Sequence, residues 1–217
     1  MLRVAVLLSG RGSNLQALID ASQGDAFPAT IVRVISNVPD AQGLQRAQDA
    51  GIDTVVIDHR KFSSRTEFDE ALDTALHACD AELVCLAGFM RILTQDFVEG
   101  WQDRLINIHP SLLPAFKGLD AQQQALDAGV RIAGCSVHFV RPGMDEGPIV
   151  AQAAVPVLQN DDDASLAARI LRQEHVIYPL VVRLIAEGRV QVEDEQVVIN
   201  VGDSSAGILL NPSLADL

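Results

Sequence analysis

The strongest chemical signal in the chain is an amide, an imidazole and a carboxylate at the ends of apolar, strand-like runs. Asn107 and His109 stand in NIHPSLLP, residues 107–114, and Asp145 stands in MDEGP, residues 144–148. Functional groups gather at strand ends in open α/β sheets. The trio suits acyl transfer without a covalent intermediate. Asn107 can donate to a developing oxyanion, a protonated His109 can donate to it or move a proton, and Asp145 can hold the imidazole protonated.

Each member of the trio also has a plainer interpretation. A single histidine on a strand is most often structural, and an aspartate in a loop rich in Gly and Pro is most often a solvated turn residue. Alternation along the strand places Asn107 and His109 on one face or at its carboxyl edge, which favours a joint role. Glu146, the neighbour of Asp145, is an internal control, because two turn carboxylates would be equivalent. The Leu-Leu-Pro at residues 112–114 predicts a rigid turn, in which a cis bond is one option.

The sequence motifs give little support for a metal site or for a serine hydrolase. Four side chains invite a metal hypothesis, namely His138, Asp145, Glu174 and His175. They show neither HExxH spacing nor a Cys/His cluster, so no metal site is predicted. Ser111 and Ser136 lie outside any GxSxG motif, so a serine hydrolase is not predicted either.

A glycine-rich turn follows the first apolar run. It reads SGRGSN over residues 9–14 and precedes a helical pattern, so Gly12, Ser13 and Asn14 can point backbone N–H groups at an anion. A P-loop would need Gly-Lys-Ser/Thr, and a dinucleotide site would need a glycine where Leu15 stands. The open alternatives are therefore a phosphate site and a tight turn that needs glycine for its backbone alone.

The elements that must position these groups follow from the hydrophobic pattern. Strands are predicted at residues 2–8, 31–36, 54–57 and 83–87, with helices at residues 15–19, 41–50 and 65–79 between them. This alternation implies right-handed βαβ units and a parallel sheet. Strands then crowd at residues 104–108, 133–140 and 149–157, with a short helix at 122–128 and a long one at 164–187. The predicted class is α/β, a doubly wound mixed sheet whose N-terminal half is parallel and Rossmann-like and whose C-terminal half is partly antiparallel.

Composition bounds the remaining properties. The 217 residues are 48% apolar with a formal charge of −13, which fits one large domain and argues against a nucleic-acid partner. Arg11, Arg65 and Arg91 can still attract anions locally. Three cysteines without any CxxC, and no long apolar N-terminal run, predict no membrane span and a cytoplasmic protein. Residues 1–188 are expected to form the catalytic domain, with residues 189–217 as a hairpin and tail of that domain. A homodimer is one possible oligomeric state.

Six segments together resemble the folate-dependent formyltransferases that act on a glycinamide ribonucleotide. They are LSGRGSNLQA (8–17), LAGFMRIL (86–93), NIHPSLLP (107–114), GCSVHFV (134–140), DEGP (145–148) and QEHVIYP (173–179). The resemblance implies the formyltransferase fold and transfer of the formyl group of 10-formyltetrahydrofolate, a co-substrate, to the amine of 5-phosphoribosylglycinamide in purine biosynthesis. No metal is implied.

By the same resemblance, residue roles carry over position by position. Asn107, His109 and Asp145 are the implied catalytic trio. The implied ribonucleotide ligands are Gly12, Ser13, Asn14, Met90 and Glu174. The implied folate ligands are Arg65, Arg91, Ile92, Leu93, Val140, Arg141 and Asp145. Within these sets the turn holds the phosphate, Glu174 takes the ribose hydroxyls and Met90 faces the reacting amine.

The chain departs from the pattern at Asp120 and Gln122, where some members carry histidines. Two relatives share the trio. A formyltetrahydrofolate deformylase is expected to carry an N-terminal regulatory domain and to lack the phosphate turn, and a methionyl-tRNA formyltransferase is expected to add a C-terminal nucleic-acid-binding domain. The alternatives to formyl transfer are therefore a deformylase-like hydrolase and a non-catalytic nucleotide-binding module, which would bind ligand without turnover.

Overall fold

The computed structural model describes residues 1–24 and 26–200, and most of its strands form one mixed sheet. The strands of this sheet are β1 Leu2–Leu8, β2 Ala29–Ser36, β3 Thr54–Val56, β4 Leu83–Leu86, β5 Leu105–His109, β6 Ile132–Phe139 and β7 Ile149–Pro156. A separate hairpin joins β8 Val190–Glu193 to β9 Gln196–Ile199. The tail expected at residues 202–217 lies outside the described residues.

The sheet order is β3-β2-β1-β4-β5-β6-β7. Strands β1 to β5 pair in parallel, whereas β6 pairs antiparallel with β5 and with β7. The predicted fold class, with a parallel first half and an antiparallel second half, is therefore confirmed. The chain moves outward from β1 to β2 and β3, then crosses to β4 on the other side of β1. This reversal makes the carboxyl ends of β1 and β4 a topological switch point, where open α/β sheets bind their ligands.

Helices cover both faces of the sheet. They are α1 Ser13–Ser22, α2 Gln42–Asp49, α3 Arg65–His77, α4 Gln95–Gly100, α5 Ala121–Asp127 and α6 Asp163–Ala186. Alternate residues of β1 divide the core, because Val6 packs with helices α1 and α6 and Leu7 packs with α3 and α4. Both side chains are fully buried. A strand covered on both faces is apolar throughout, which explains the continuous run at residues 2–8.

Helix α4 was missed by the sequence pattern, which is typical of a helix only six residues long. Its start is set by hydrogen bonds that a hydrophobic pattern does not contain. The Thr94 hydroxyl accepts from the Phe97 N–H at 3.4 Å, and the Thr94 N–H donates to the Asp69 carboxylate at 2.6 Å. At its C-terminal end Trp101 is fully buried and its indole N–H donates to Asp73 at 2.8 Å.

The long helix α6 is held in one position against the sheet centre. Its N-cap Asp162 and Ser165 form a reciprocal capping box. In its middle, the hydroxyl of the buried Tyr178 donates to the Leu86 carbonyl at 3.0 Å, at the end of β4. This fixed register delivers Glu174, one turn earlier on the helix, to the edge of the sheet where the parallel strands end.

The hairpin β8–β9 packs on the domain instead of standing free. Val190, Val192 and Val197 contact the main core, and Glu195 in the hairpin turn binds the Arg141 guanidinium at 2.7 Å. Of the described helices, none has the length and apolar character needed to cross a membrane.

Candidate active site

Three loops of the candidate site leave the carboxyl ends of neighbouring parallel strands. The glycine-rich turn follows β1 and residues 88–93 follow β4. The third loop follows β5, whose last residue is His109. The β6–β7 loop then brings Asp145 to His109, with 3.5 Å between Asp145 Oδ1 and His109 Nδ1. The fold therefore collects residues that stand far apart in the sequence, as the strand-end argument predicted.

His109 is buried and both of its ring nitrogens face oxygen atoms. Nδ1 faces Asp145, and Nε2 lies 2.9 Å from the Phe116 carbonyl. Both oxygens are acceptors, so the ring is flanked by an acceptor at each nitrogen. Phe116 has φ of 53° although it is not glycine, an unfavourable backbone conformation that lets its carbonyl point at the imidazole.

Asn107 is oriented by a partner that sequence reasoning considered only as a metal ligand. Asn107 and His138 are opposite each other in the β5–β6 pair, and Asn107 Nδ2 lies 3.4 Å from His138 Nε2. Burial lowers the pKa of His138, which keeps the ring neutral. Its Nδ1 lies 3.0 Å from the Phe139 carbonyl, so Nδ1 carries the proton and Nε2 accepts from Asn107. The second N–H of the Asn107 amide remains for another acceptor.

Asp145 and its neighbour Glu146 differ in side-chain exposure and in their partners, so the two carboxylates are not equivalent. The Asp145 side chain is 14% exposed, and its second oxygen accepts from the Gly118 N–H at 2.7 Å. The Glu146 side chain is 56% exposed and pairs with Lys117 at 2.9 Å. Asp145 also adopts a left-handed φ of 49°. It is thus a fixed, shielded carboxylate, which disfavours the interpretation as a solvated turn residue.

The glycine-rich turn ends in the helix start that the sequence predicted. Helix α1 begins at Ser13, and Gly12 is its N-cap with φ of 71° and no side-chain cap. The first N–H groups of a helix have no partner within it, so those of this turn are available to an anion. A Cβ at Gly12 would lie 2.6 Å from the Gly43 Cα, whereas a Cβ at Gly10 would meet nothing within 4 Å. The close packing of the turn on α2 therefore requires glycine at residue 12.

Asn14 and Glu174 meet beside this turn. Asn14 Nδ2 donates to Glu174 Oε2 at 2.7 Å, and both residues are buried. Burial raises the pKa of Glu174, and the bond from Asn14 opposes that shift. The Asn14 Oδ1 atom is buried and has no hydrogen-bond partner among residues 1–24 and 26–200. An unsatisfied buried oxygen next to an acid is unusual in a protein interior and suits a hydroxyl-bearing ligand.

The loop after β4 presents exposed apolar side chains next to a guanidinium. Met90 is 66% and Ile92 61% exposed, while Leu93 and Arg91 are half-buried. The Nε atom of Arg91 is buried, and within the described part of the chain it has no hydrogen-bond partner. Apolar walls with one unpaired donor suit a flat heteroaromatic ligand that carries acceptors.

Two other residues predicted to bind folate, Arg65 and Arg141, have less direct support from the structure. Arg65 is exposed at the first position of α3, which follows β3 and so starts at the same sheet edge. The Arg141 guanidinium is taken up by Asp103 and Glu195, both at 2.7 Å. Any role of Arg141 toward a cofactor therefore rests on its main chain, next to the half-buried Val140.

The alternative chemistries are not assembled at one point. Within residues 1–24 and 26–200 there is no group of three His, Cys, Asp or Glu side chains placed to hold a metal ion. The Ser111 hydroxyl donates to the Ala115 carbonyl and the Ser136 hydroxyl donates to the Ser111 carbonyl. Burial raises the pKa of Cys85 and of Cys135 to about 12, which keeps both thiols unreactive.

Comparison with known proteins defines the class. The family model described as formyl transferase matches residues 2–182. By this match the chain belongs to the formyl transferase family. A solved structure of glycinamide ribonucleotide transformylase 1 from Symbiobacterium toebii superposes with a TM-score of 0.90 at 51% identity, covering 92% of this chain and 94% of that one.

Two curated relatives narrow the class. Phosphoribosylglycinamide formyltransferase of Escherichia coli K12 is 45% identical over 193 residues, which cover 89% of this chain and 91% of that protein. The trifunctional purine biosynthetic protein adenosine-3 of Drosophila melanogaster is 51% identical over 195 residues, but the chain spans only 14% of its length. Within the family, the chain belongs with the phosphoribosylglycinamide formyltransferases.

Proposed function

We propose that the chain transfers the formyl group of 10-formyltetrahydrofolate to the amine of 5-phosphoribosylglycinamide. The observation that carries the proposal is the convergence of Asn107, His109 and Asp145 beside an anion-binding helix start at the switch point of the sheet. Acyl transfer needs donors for an oxyanion and an acceptor for a proton, and these three side chains supply both.

The reaction uses no covalent enzyme intermediate. The substrate amine attacks the formyl carbon, the carbonyl oxygen becomes an oxyanion, and N–H groups of Asn107 and His109 donate to it. To reach the oxyanion, His109 Nε2 exchanges the Phe116 carbonyl for the substrate oxygen. The amine proton passes through Asp145 to N10, the oxyanion re-forms the carbonyl, and the bond from the formyl carbon to N10 breaks. The products are the formylated amine and tetrahydrofolate.

The ribonucleotide lies along the start of α1. The N–H groups of Gly12, Ser13 and Asn14 bind its phosphate, which explains how a chain of net charge −13 takes an anionic substrate. Glu174 accepts from the ribose hydroxyls, and the free Asn14 Oδ1 is a second acceptor nearby. The amine then points toward Met90.

The folate lies across the loops after β4 and β6. The apolar side chains of Ile92 and Leu93 and the main chain of residues 140–145 surround the pterin, and the unpaired Arg91 Nε binds one of its acceptors. Arg65 reaches the folate carboxylate. Residues 1–188 form the catalytic domain in this proposal, with residues 189–217 as its hairpin and tail.

The test compares both substrates together with each alone, by following the absorbance of the folate product. The proposal expects product only when 5-phosphoribosylglycinamide is present. Equal folate release without the ribonucleotide would indicate a deformylase-like hydrolase, and binding without turnover would indicate a nucleotide-binding module. Two expectations stay predictions with their own measurements: a cytoplasmic location, by cell fractionation, and a homodimer, by analytical ultracentrifugation.

A further inference from the structure

A chain of hydrogen bonds, centred on the buried Asn37, runs across the carboxyl ends of β2, β1 and β4. The Met90 N–H donates to the Ser9 hydroxyl oxygen at 2.7 Å, and that hydroxyl donates to Asn37 Oδ1 at 2.6 Å. The other end of the same amide, Asn37 Nδ2, lies 3.1 Å from His59 Nδ1. Because the Ser9 oxygen accepts from Met90, its hydroxyl hydrogen donates to Asn37, which fixes the direction of these two bonds. His59 Nδ1 also lies 3.1 Å from the Asn37 main-chain carbonyl oxygen, so the tautomer of His59 sets the direction of its contact with Asn37.

Asn37 is the central member of the chain. It is 2% exposed, and its Oδ1 accepts from the Ser9 hydroxyl, so the amide has a single orientation. Its partner His59 is held in turn by an edge contact with Phe68, whose ring is stacked at 6.4 Å on Phe89. Phe89 and the N–H of Met90 are thus both held by contacts that lead back to Asn37, through Phe68 and His59 in one case and through Ser9 in the other.

The chain is not needed to hold the strands together. Beyond the ends of β1 and β4, the backbone already bonds through Ala87 N–H to the Leu7 carbonyl at 2.8 Å and Ser9 N–H to the Gly88 carbonyl at 3.1 Å. Burying an amide and a hydroxyl is costly unless their bonds are well made, and an apolar pair would avoid the cost. If apolar residues replaced Ser9 and Asn37, the Met90 N–H would lose its bond to the Ser9 hydroxyl. Met90 lies in the loop assigned to the substrate amine.

We propose that Asn37 is a positioning residue for formyl transfer, which acts through Ser9 to fix the main chain of Met90. This inference rests on the proposed function. By orienting the Ser9 hydroxyl, Asn37 sets the place of the Met90 N–H and so of the loop that lies between the amine and the folate. Small displacements of a positioning loop lower the rate of the chemical step more than they weaken ground-state binding.

The test combines three substitutions with steady-state kinetics. Asn37→Ala and Ser9→Ala should each lower kcat about tenfold, with the KM for the ribonucleotide changed less than about twofold. The double variant should be no slower than the slower single one, because both remove the same chain of bonds. Ser9→Thr, which keeps the hydroxyl, should restore most of kcat.

Ser36→Ala is the matched control. Ser36 is a buried serine at the end of β2, but its hydroxyl bonds locally to the Val38 carbonyl at 2.8 Å and leaves the chain untouched. It should keep kcat within about twofold of the wild type. Equal losses of kcat in Ser36→Ala and Asn37→Ala would overturn the inference, as would an unchanged kcat in Asn37→Ala and Ser9→Ala.

A second readout does not depend on activity. The chain has three methionines, of which Met90 and Met144 carry an internal backbone amide, so protein labelled with ¹⁵N-methionine gives few amide signals. Asn37→Ala should move the Met90 signal and speed its hydrogen exchange while Met144 stays in place. An unmoved Met90 signal would overturn the inference even if kcat falls. A wild type without formyl transfer would refute the proposed function, and the Met90 signal would still decide whether Asn37 positions the loop.

Discussion

Replacing Asp145 by asparagine tests the least obvious member of the trio. Asparagine has the same shape, and its carbonyl oxygen can still accept from the Gly118 N–H that Asp145 binds at 2.7 Å. Its amide group then faces His109 Nδ1, where a carboxylate oxygen stood at 3.5 Å. An N–H group facing Nδ1 cannot accept from it, so the imidazole loses its acceptor on that side.

The size of the effect follows from that contact. A hydrogen bond to a charged group contributes about 1.5 to 3 kcal/mol, and the pair of Asp145 and His109 is an ion pair at 3.5 Å, longer than such a bond, so the lower half of the range applies. About 1.5 to 2 kcal/mol in the barrier corresponds to a fall in kcat of roughly tenfold to thirtyfold. Because the loop keeps its Gly118 bond, the melting temperature should change by less than about 3 °C.

The assay measures kcat for formyl transfer by absorbance, with Glu146→Gln as the matched control. Glu146 is mostly exposed and forms a surface pair with Lys117, so its variant should keep kcat within about twofold. A kcat of Asp145→Asn within twofold of the wild type would refute the reasoning. Equal losses in the two variants would refute it as well, because they would make Asp145 an ordinary loop carboxylate.

Three further predictions address the donors, the phosphate turn and acid stability. Asn107→Ala should lower kcat by a hundredfold or more, about 3 to 4 kcal/mol in the barrier, with smaller changes in KM; near-normal kcat would remove Asn107 from the mechanism. Gly12→Ala should raise the KM for the ribonucleotide about tenfold or more and spare the KM for folate, whereas Gly10→Ala, with open space for its Cβ, should change neither. Asp58 bonds to the Arg60 guanidinium, which lowers the pKa of the carboxyl from 3.8 to about 2. Its contribution to the free energy of unfolding is therefore present above pH 3.8 and lost as the pH falls toward 2, and Asp58→Asn should flatten that loss in denaturant titrations across this range.

Elements with a repeating hydrophobic pattern were predictable from the sequence. The first strand was predicted with its exact bounds, and the start of α1 at the glycine turn followed from turn and helix chemistry. Helix α4 escaped because its start depends on Thr94 and Asp69, which meet only in the folded chain. Short helices defined by side-chain caps carry too little periodicity to be found by pattern.

Some residues of the candidate site were predictable from the sequence and others were not, for similar reasons. Asn107 and His109 were predictable because alternation on one strand is a local property. The contact of Asp145 with His109 was a hypothesis from residue types, and the fold brought the two together. His138 as the partner of Asn107 could have been found only from the β5–β6 register, since cross-strand pairing is not written in either strand alone. The Phe116 carbonyl, which belongs to the main chain, leaves no signal in residue type.

Direct attack of the amine on the formyl carbon, without a formyl-enzyme intermediate, can be followed with a labelled formyl group. The enzyme is mixed with 10-formyltetrahydrofolate labelled with ¹⁴C in the formyl carbon, quenched at times shorter than one turnover, and separated into protein, folate and ribonucleotide. Label should leave the folate only when 5-phosphoribosylglycinamide is present, and it should appear only on the ribonucleotide. Label on the protein, or release as formate at the same rate without the ribonucleotide, would contradict direct attack.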